Sequence, residues 1–251
     1  MGRLKGKRIL VAGSARNIGA KTAERLVEEG AQVFLGDVDG AQVKAVADQL
    51  GAGSQWFDLA DPESLENLVS AAAKHLGGLD GIVNVAADIS PSTLGNDVDL
   101  LGMDIAIWEK TLSSNLVGYA LLIKHALPHL IESGSGSIVN ISSGSYFIGE
   151  PTRPAYAAAK AGVNTLTRHV ASRWGKDNIR CNAISPGMIV TETAGDLVTE
   201  EYMNKILRGM PLPRLGESKD IANGIVFFMS DEAEWITGQV LNINGGAAYR
   251  D

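Results

Sequence analysis

The stretch PAYAAAK sets Tyr156 and Lys160 four residues apart, so on a helix their side chains share one face. A lysine ammonium beside a phenol can lower the phenol's pKa from about 10. A phenol lowered in this way becomes a proton donor and acceptor near neutral pH. Thirteen residues before Tyr156, the run VNISSG ends a strand and supplies Ser143, with Ser142 beside it. Further upstream, LSSNLVG puts Asn115 inside a long helical pattern, where asparagine is an unusual choice. Y-x-x-x-K alone is common and carries little weight. Its company gives it weight.

Such a set needs a scaffold, and the first piece is VAGSARNIGA, lying between an apolar run and an amphipathic helical pattern. Strand, tight turn and helix form the setting of a dinucleotide site. The stretch fails G-x-G-x-x-G but fits G-x-x-x-G-x-G, with Gly13 and Gly19 kept and Asn17 in place of the middle glycine. Asparagine best tolerates the left-handed backbone that such a turn demands. A helix starting near Ile18 would then present N–H groups to a diphosphate. Asp37 closes VFLGD eighteen positions after Gly19, where a carboxylate can bind the adenosine ribose hydroxyls and repel a 2′-phosphate. Arg16 pulls the other way, as a cation that could attract that phosphate. Direct ribose contact outweighs a mobile arginine, so NAD is preferred over NADP.

The rest of the chain alternates short β-rich runs with longer helical patterns. Strands are expected at RILVAG, QVFLGD, SQWFDL, GIVNVA, GSIVNISS, IRCNAISPG and VLNINGG. Helices are expected at about 17–29, 40–50, 62–77, 104–132, 155–175 and 218–231, with Asp61 and Pro62 opening the third. This rhythm predicts an α/β fold, a doubly wound parallel sheet with helices on both faces, forming one domain over 1–251. Two segments break it, Asp88–Asp104 with four aspartates and Met188–Gly216. Both follow strand ends, so both should stand over a ligand site.

A net charge of −7 with no Lys/Arg-rich run argues against a nucleic-acid partner. No window is apolar and long enough to span a membrane, and the N-terminal apolar run is marginal even for a signal peptide. Gly6 also breaks the myristoylation pattern. The single cysteine, Cys181, excludes an intrachain disulfide and a cysteine-based zinc site, and its run reads as buried strand. His75, His125, His129 and His169 show no ligand spacing, so no metal is expected. A soluble, cytoplasmic protein is the expectation.

With the glycine loop, Asn115, Ser143 and Y-x-x-x-K in this order, and with RCNAISPGMIVTE and the C-terminal run to VLNINGG, the chain resembles the short-chain dehydrogenase/reductase family over essentially its whole length. The resemblance implies a Rossmann-type fold and the following roles. Tyr156 would be the general acid/base, and Lys160 would bind the nicotinamide ribose and tune it. Ser143, favoured over Ser142 by its offset to the tyrosine, would donate to the substrate oxygen. Asn115 would hold a water linking Lys160 to solvent. Asp58 would contact the adenine with Leu59 beside it, while Pro186, Gly187, Ile189 and Thr191 would hold the nicotinamide amide and diphosphate. The family's N-N-A-G motif stands as VNVAAD, keeping Asn84 and Ala86 for the cofactor but placing Val85 and Ala87 at the other positions, with an added methyl at Ala87.

The Asp88–Asp104 loop is longer than usual for the family, and its charge reads mainly as solvated surface. Tyr146, Met188 and the segment 188–216 would line an apolar substrate pocket, and the helices around 104–132 and 155–175 would pair across subunits of a homotetramer. The activity implied is interconversion of a small-molecule secondary alcohol and its ketone. An NADPH-dependent 3-oxoacyl-carrier-protein reductase and a non-catalytic dinucleotide sensor are the alternatives.

Overall fold

Uninterrupted apolar runs make the strands, because a strand in a parallel sheet is buried on both faces. The computed structural model describes residues 2–191 and 200–249. Its elements run β1 (Arg8–Ala12), α1 (Asn17–Glu28), β2 (Gln32–Asp37), α2 (Gly40–Leu50), β3 (Gly53–Trp56), α3 (Pro62–Leu76) and β4 (Gly81–Asn84). There follow α4 (Ile105–Leu112), a π-helical stretch (Ser113–Val117), α5 (Gly118–Ser133), β5 (Gly136–Ile141), α6 (Ser145–Ile148) and α7 (Pro154–Trp174). The last part comprises β6 (Ile179–Pro186), β7 (Ile189–Val190), α8 (Glu200–Arg208), β8 (Gly216–Glu217), α9 (Ser218–Met229) and β9 (Val240–Ile243).

Seven strands form one sheet in the order β3-β2-β1-β4-β5-β6-β9, every pair parallel. Residues of β1 alternate between its two faces. Leu10 and Ala12 enter a core layer built with α3, α5 and α7, whereas Ile9 and Val11 enter one built with α1, α2 and α9. The expected doubly wound α/β sheet is therefore what the chain forms. Strand order reverses between β1 and β4, which opens a crevice at the carboxyl ends of those two strands. As expected, Asp61 caps α3 by accepting from Glu63 N–H at 3.1 Å, and Cys181 is buried.

Several boundaries differ from the sequence reading. The strand expected over SQWFDL stops at Trp56, with one further bond from Phe57 N–H to the Asp37 carbonyl at 3.1 Å, and Phe57 and Leu59 are buried in the core. The helix expected over 104–132 is broken into α4, the π stretch and α5, and it carries Pro128 within α5. Within the segment 188–216, β7 pairs to β8 and α8 lies between them in the chain. Its residues 192–199 lie outside the described residues. No helix among the described residues is long and apolar enough to cross a membrane.

Candidate active site

The glycine loop leaves β1 at the switch point, and its glycines are used for closeness. Gly13 has φ +94°, and a Cβ there would fall 2.3 Å from the Ala86 backbone nitrogen. At Gly19 a Cβ would fall 1.7 Å from the Gly13 carbonyl oxygen, so α1 seats directly against the loop. Asn17 takes φ +49°, the left-handed backbone expected of the residue replacing the middle glycine. No side chain caps α1 at the exposed Arg16, and its first turn holds no acidic residue. Ile18 follows in that turn. A helix start of this kind suits a diphosphate, so this part of the chain fits a dinucleotide.

Asp37 ends β2 beside the loop. Its carboxylate accepts from Ala15 N–H at 2.9 Å and from Asp39 N–H at 3.1 Å, which aims it along the crevice edge. Arg16 is not the free cation of the sequence reading, since its guanidinium pairs with Asp39. Asp58 turns its carboxylate to Ala60 N–H at 2.8 Å, and Leu59 is buried beside it. The Asn84 side chain is fully buried and donates to Asn140 Oδ1 at 2.8 Å, so its backbone is the part available to the crevice. Ala86 N–H donates to the Ala12 carbonyl at 2.9 Å, and Ala87 keeps negative φ, so its methyl brings no backbone strain. From the last residue of β6 onward, half-buried Pro186, Gly187, Ile189 and Thr191 run across the same end of the sheet. Gly187 packs so closely on Asn244 that a Cβ would sit 2.7 Å from its Cα.

Asn115, Ser143, Tyr156 and Lys160 meet at the carboxyl ends of β4 and β5. Lys160 is 1 % exposed, and its Nζ donates to the Ile141 carbonyl at 2.9 Å. That nitrogen lies 4.9 Å from the ring centre of buried Tyr119 and 5.7 Å from that of Tyr156. Ser142 is buried against the Lys160 carbonyl at 3.4 Å, whereas half-buried Ser143 lies against the Tyr156 phenol and accepts from Ser145 N–H at 3.2 Å. Asn115 sits in the π stretch and is fully buried. Its Oδ1 accepts from Asp88 N–H at 2.9 Å, and its Nδ2 donates to the Asp88 carbonyl at 3.2 Å. Widened helical turns of this type recur at functional sites.

Burial dominates the electrostatics of this pair. Burial pushes the Tyr156 phenol up to about 12, although part of the ring stays open to solvent; Ser143 and the charge of Arg153 pull it back only partly. Burial likewise pulls the Lys160 ammonium down to about 7. In the free site burial thus opposes the lowering of the phenol that the lysine's spacing suggested. Its nitrogen lies against the Ile141 carbonyl and over Tyr119, and burial weakens its own charge.

The acidic loop is solvated surface only in part, with Asp99 and Asp104 exposed. Asp88 is half-buried, accepts from Ser90 and Thr93, and lies 3.3 Å from Lys110; Asp97 is 4 % exposed. Tyr119 and these aspartates escaped the sequence reading. Tyr119 belongs to no motif, and Asp97 finds its partners 58 and 59 residues along the chain.

A family model described as enoyl-(acyl carrier protein) reductase matches residues 12–248. The cis-4-hydroxycyclohexanecarboxylate dehydrogenase of Sinomonas cyclohexanicum is 37% identical, over 94% of this chain and 94% of its own. The 7alpha-hydroxysteroid dehydrogenase of Clostridium sardiniense is 33% identical, over 99% of this chain and 95% of its own. A solved short-chain type dehydrogenase/reductase from Mycobacterium ulcerans superposes with TM-score 0.91 at 28% identity, covering 98% of this chain and 91% of that one. The chain belongs to the short-chain dehydrogenase/reductase family. It is thus an oxidoreductase of that family, whose members use nicotinamide dinucleotides. Its place in the short-chain dehydrogenase/reductase family rests on nearly the whole chain, from β1 to beyond β9.

Proposed function

We propose that this protein interconverts a ring-borne secondary alcohol and its ketone, with Tyr156 as the general acid/base and NAD as the preferred dinucleotide. The observation that carries this reading is Tyr156 with Ser143 against its phenol and Lys160 one helical turn behind, all at the carboxyl edge of the sheet. The printed names of the two relatives specify hydroxysteroid and hydroxycyclohexane substrates, both secondary alcohols on rings. Half-buried Tyr146 and Met188 near the site suit an apolar ring.

Gly13 and the turn Asn17–Gly19 would hold the diphosphate, Asp37 the adenosine ribose, and Asp58 and Leu59 the adenine. The backbones of Asn84 and Ala86 would flank the dinucleotide. Pro186, Gly187, Ile189 and Thr191 would hold the nicotinamide amide, and Lys160 the second ribose. Arg16 is already paired with Asp39, which supports NAD over NADP. When bound, the nicotinamide supplies the hydride acceptor or donor and, when oxidised, a positive charge beside the phenol. Ser143 donates a hydrogen bond to the substrate oxygen, and Tyr156 gives or takes that oxygen's proton. In the free site the phenol keeps its proton at neutral pH, the form that ketone reduction requires. Alcohol oxidation needs the phenolate, so it should quicken as pH rises above neutral. We place this chemistry in a cytoplasmic homotetramer.

A reductase of acyl-carrier-protein thioesters is the second reading, favoured by the description of the matching family model. Asp37 weighs against it where NADPH is the reductant. A panel of cyclic secondary alcohols with NAD and with NADP, followed at the reduced-nicotinamide absorption band, tests the proposal. Cyclic alcohols should turn over with NAD faster than with NADP. Turnover confined to 3-oxoacyl or enoyl thioesters with NADPH would favour the second reading. Tight dinucleotide binding without any turnover would make the protein a sensor.

A further inference from the structure

Helix α7 carries both Tyr156 and Lys160, yet it lacks a cap of its own. Arg153, at the N-cap position, has φ +64° and ψ +44°, and its side chain makes no cap bond. Capping residues normally have extended backbone and accept from the second or third helical N–H. Pro154 brings no N–H, and Ala157 N–H already reaches the Arg153 carbonyl at 3.0 Å. The first donors left over are the N–H groups of Ala155 and of Tyr156 itself.

Both are taken by one distant carboxylate. Asp97 Oδ1 accepts from Ala155 N–H at 3.2 Å, and Oδ2 accepts from Tyr156 N–H at 2.9 Å, across 59 residues of sequence. The Asp97 carbonyl also accepts from Arg153 N–H at 2.8 Å. Asp97 is itself held. Its N–H donates to the Thr93 carbonyl at 3.1 Å, the Thr93 hydroxyl donates to Asp88 at 2.8 Å, and the Asp88 backbone is gripped by Asn115. The loop after β4 thus ties the π stretch to the first turn of α7 through buried, bonded groups.

We propose that Asp97 is a positioning residue for the reaction: it fixes the first turn of α7 and thereby the place of the Tyr156 phenol relative to Ser143. The proposal rests on the acid–base reading of Tyr156. A carboxylate is suited to the task, because its two oxygens take two donors at once and its charge favours the positive end of the helix. Reaction rates respond steeply to small displacements of a reacting group, by about a hundredfold for 1 Å.

The test compares the full-length parent with Asp97→Ala, Asp97→Asn, Asp99→Ala and Tyr156→Phe, using an alcohol found active in the panel. Asp99 caps only its own exposed turn, through Leu101 and Gly102 N–H, and controls for general loosening of the loop. Asp97→Ala should lower kcat about ten- to a hundredfold, with dinucleotide Kd and cooperative unfolding retained. Asp97→Asn, which keeps one acceptor, should fall between it and the parent, and Asp99→Ala should match the parent. If Asp97→Ala fails to fold, the contrast between Asp97→Asn and Asp99→Ala decides.

Parental kcat in Asp97→Ala, equal losses in Asp97→Asn and Asp99→Ala, or parental kcat in both of those, would each overturn the positioning role. So would a kcat loss matched by an equal loss of dinucleotide affinity. Retained turnover in Tyr156→Phe would instead bring down the acid–base reading itself, and with it the premise of this proposal.

Discussion

Lys160 is the residue least suited to its surroundings for stability alone. It is buried, its ammonium has one carbonyl and two aromatic rings around it, and burial pulls it down to about 7 from an ordinary 10.5. Between those two values the unfolded chain binds more protons at this group than the folded one does. Its cost to stability is therefore complete below about pH 7 and fades as pH rises toward 10.5. Replacing Lys160 with Met should remove a penalty on the order of a few kcal/mol at neutral pH. Thermal unfolding of the dinucleotide-free proteins should give Lys160→Met the higher Tm at pH 7, with the gap narrowing toward pH 10. A lower Tm for the variant at pH 7 would contradict the account. The same residue was legible in the sequence as a partner for Tyr156. Its altered pKa was not, because spacing reports neighbours and not burial.

Elements set how finely those residues are held. The turn into α1 depends on left-handed backbone at Asn17, which an ordinary L-residue adopts at a cost of about 1–2 kcal/mol. Asn17→Gly should stay within about 0.5 kcal/mol of the parent, whereas Asn17→Ala should lose about 1 kcal/mol and weaken dinucleotide binding. Urea unfolding and a dinucleotide titration check both, and an Asn17→Ala protein that matches the parent would show that the turn is not under this constraint. This turn could be read ahead of the structure because one residue type solves one backbone problem. The π stretch at Ser113–Val117 could not, since its apolar spacing is that of a plain helix. Only Asn115, polar within that pattern, hinted at it. The bond from Asp97 to α7 was hidden for a different reason: sequence shows that a loop is acidic, but not that its carboxylates are turned inward to a helix end.

At the scale of the molecule, strand order does most of the positioning. Parallel strands bring the ends of β1, β2, β4, β5 and β6 to one edge, so residues from 13 to 191 border a single crevice. Alternating β and α patterns made that arrangement legible, because a right-handed crossover leaves few other ways to bury both kinds of element. Exposed apolar residues such as Ile105 and Val117 lie along the α4–α5 stretch, as expected of helices that pair between subunits. Sedimentation equilibrium should therefore give a mass about four times that of the 26.4 kDa chain, and a monomer at micromolar concentration would contradict the proposed tetramer.

The central claim is that this fold delivers one phenol to the substrate oxygen as its proton donor and acceptor. The most direct measurement is turnover by Tyr156→Phe beside its dinucleotide affinity. The account predicts a fall in kcat of about 10²–10⁴-fold with Kd nearly unchanged, and retained turnover would contradict it.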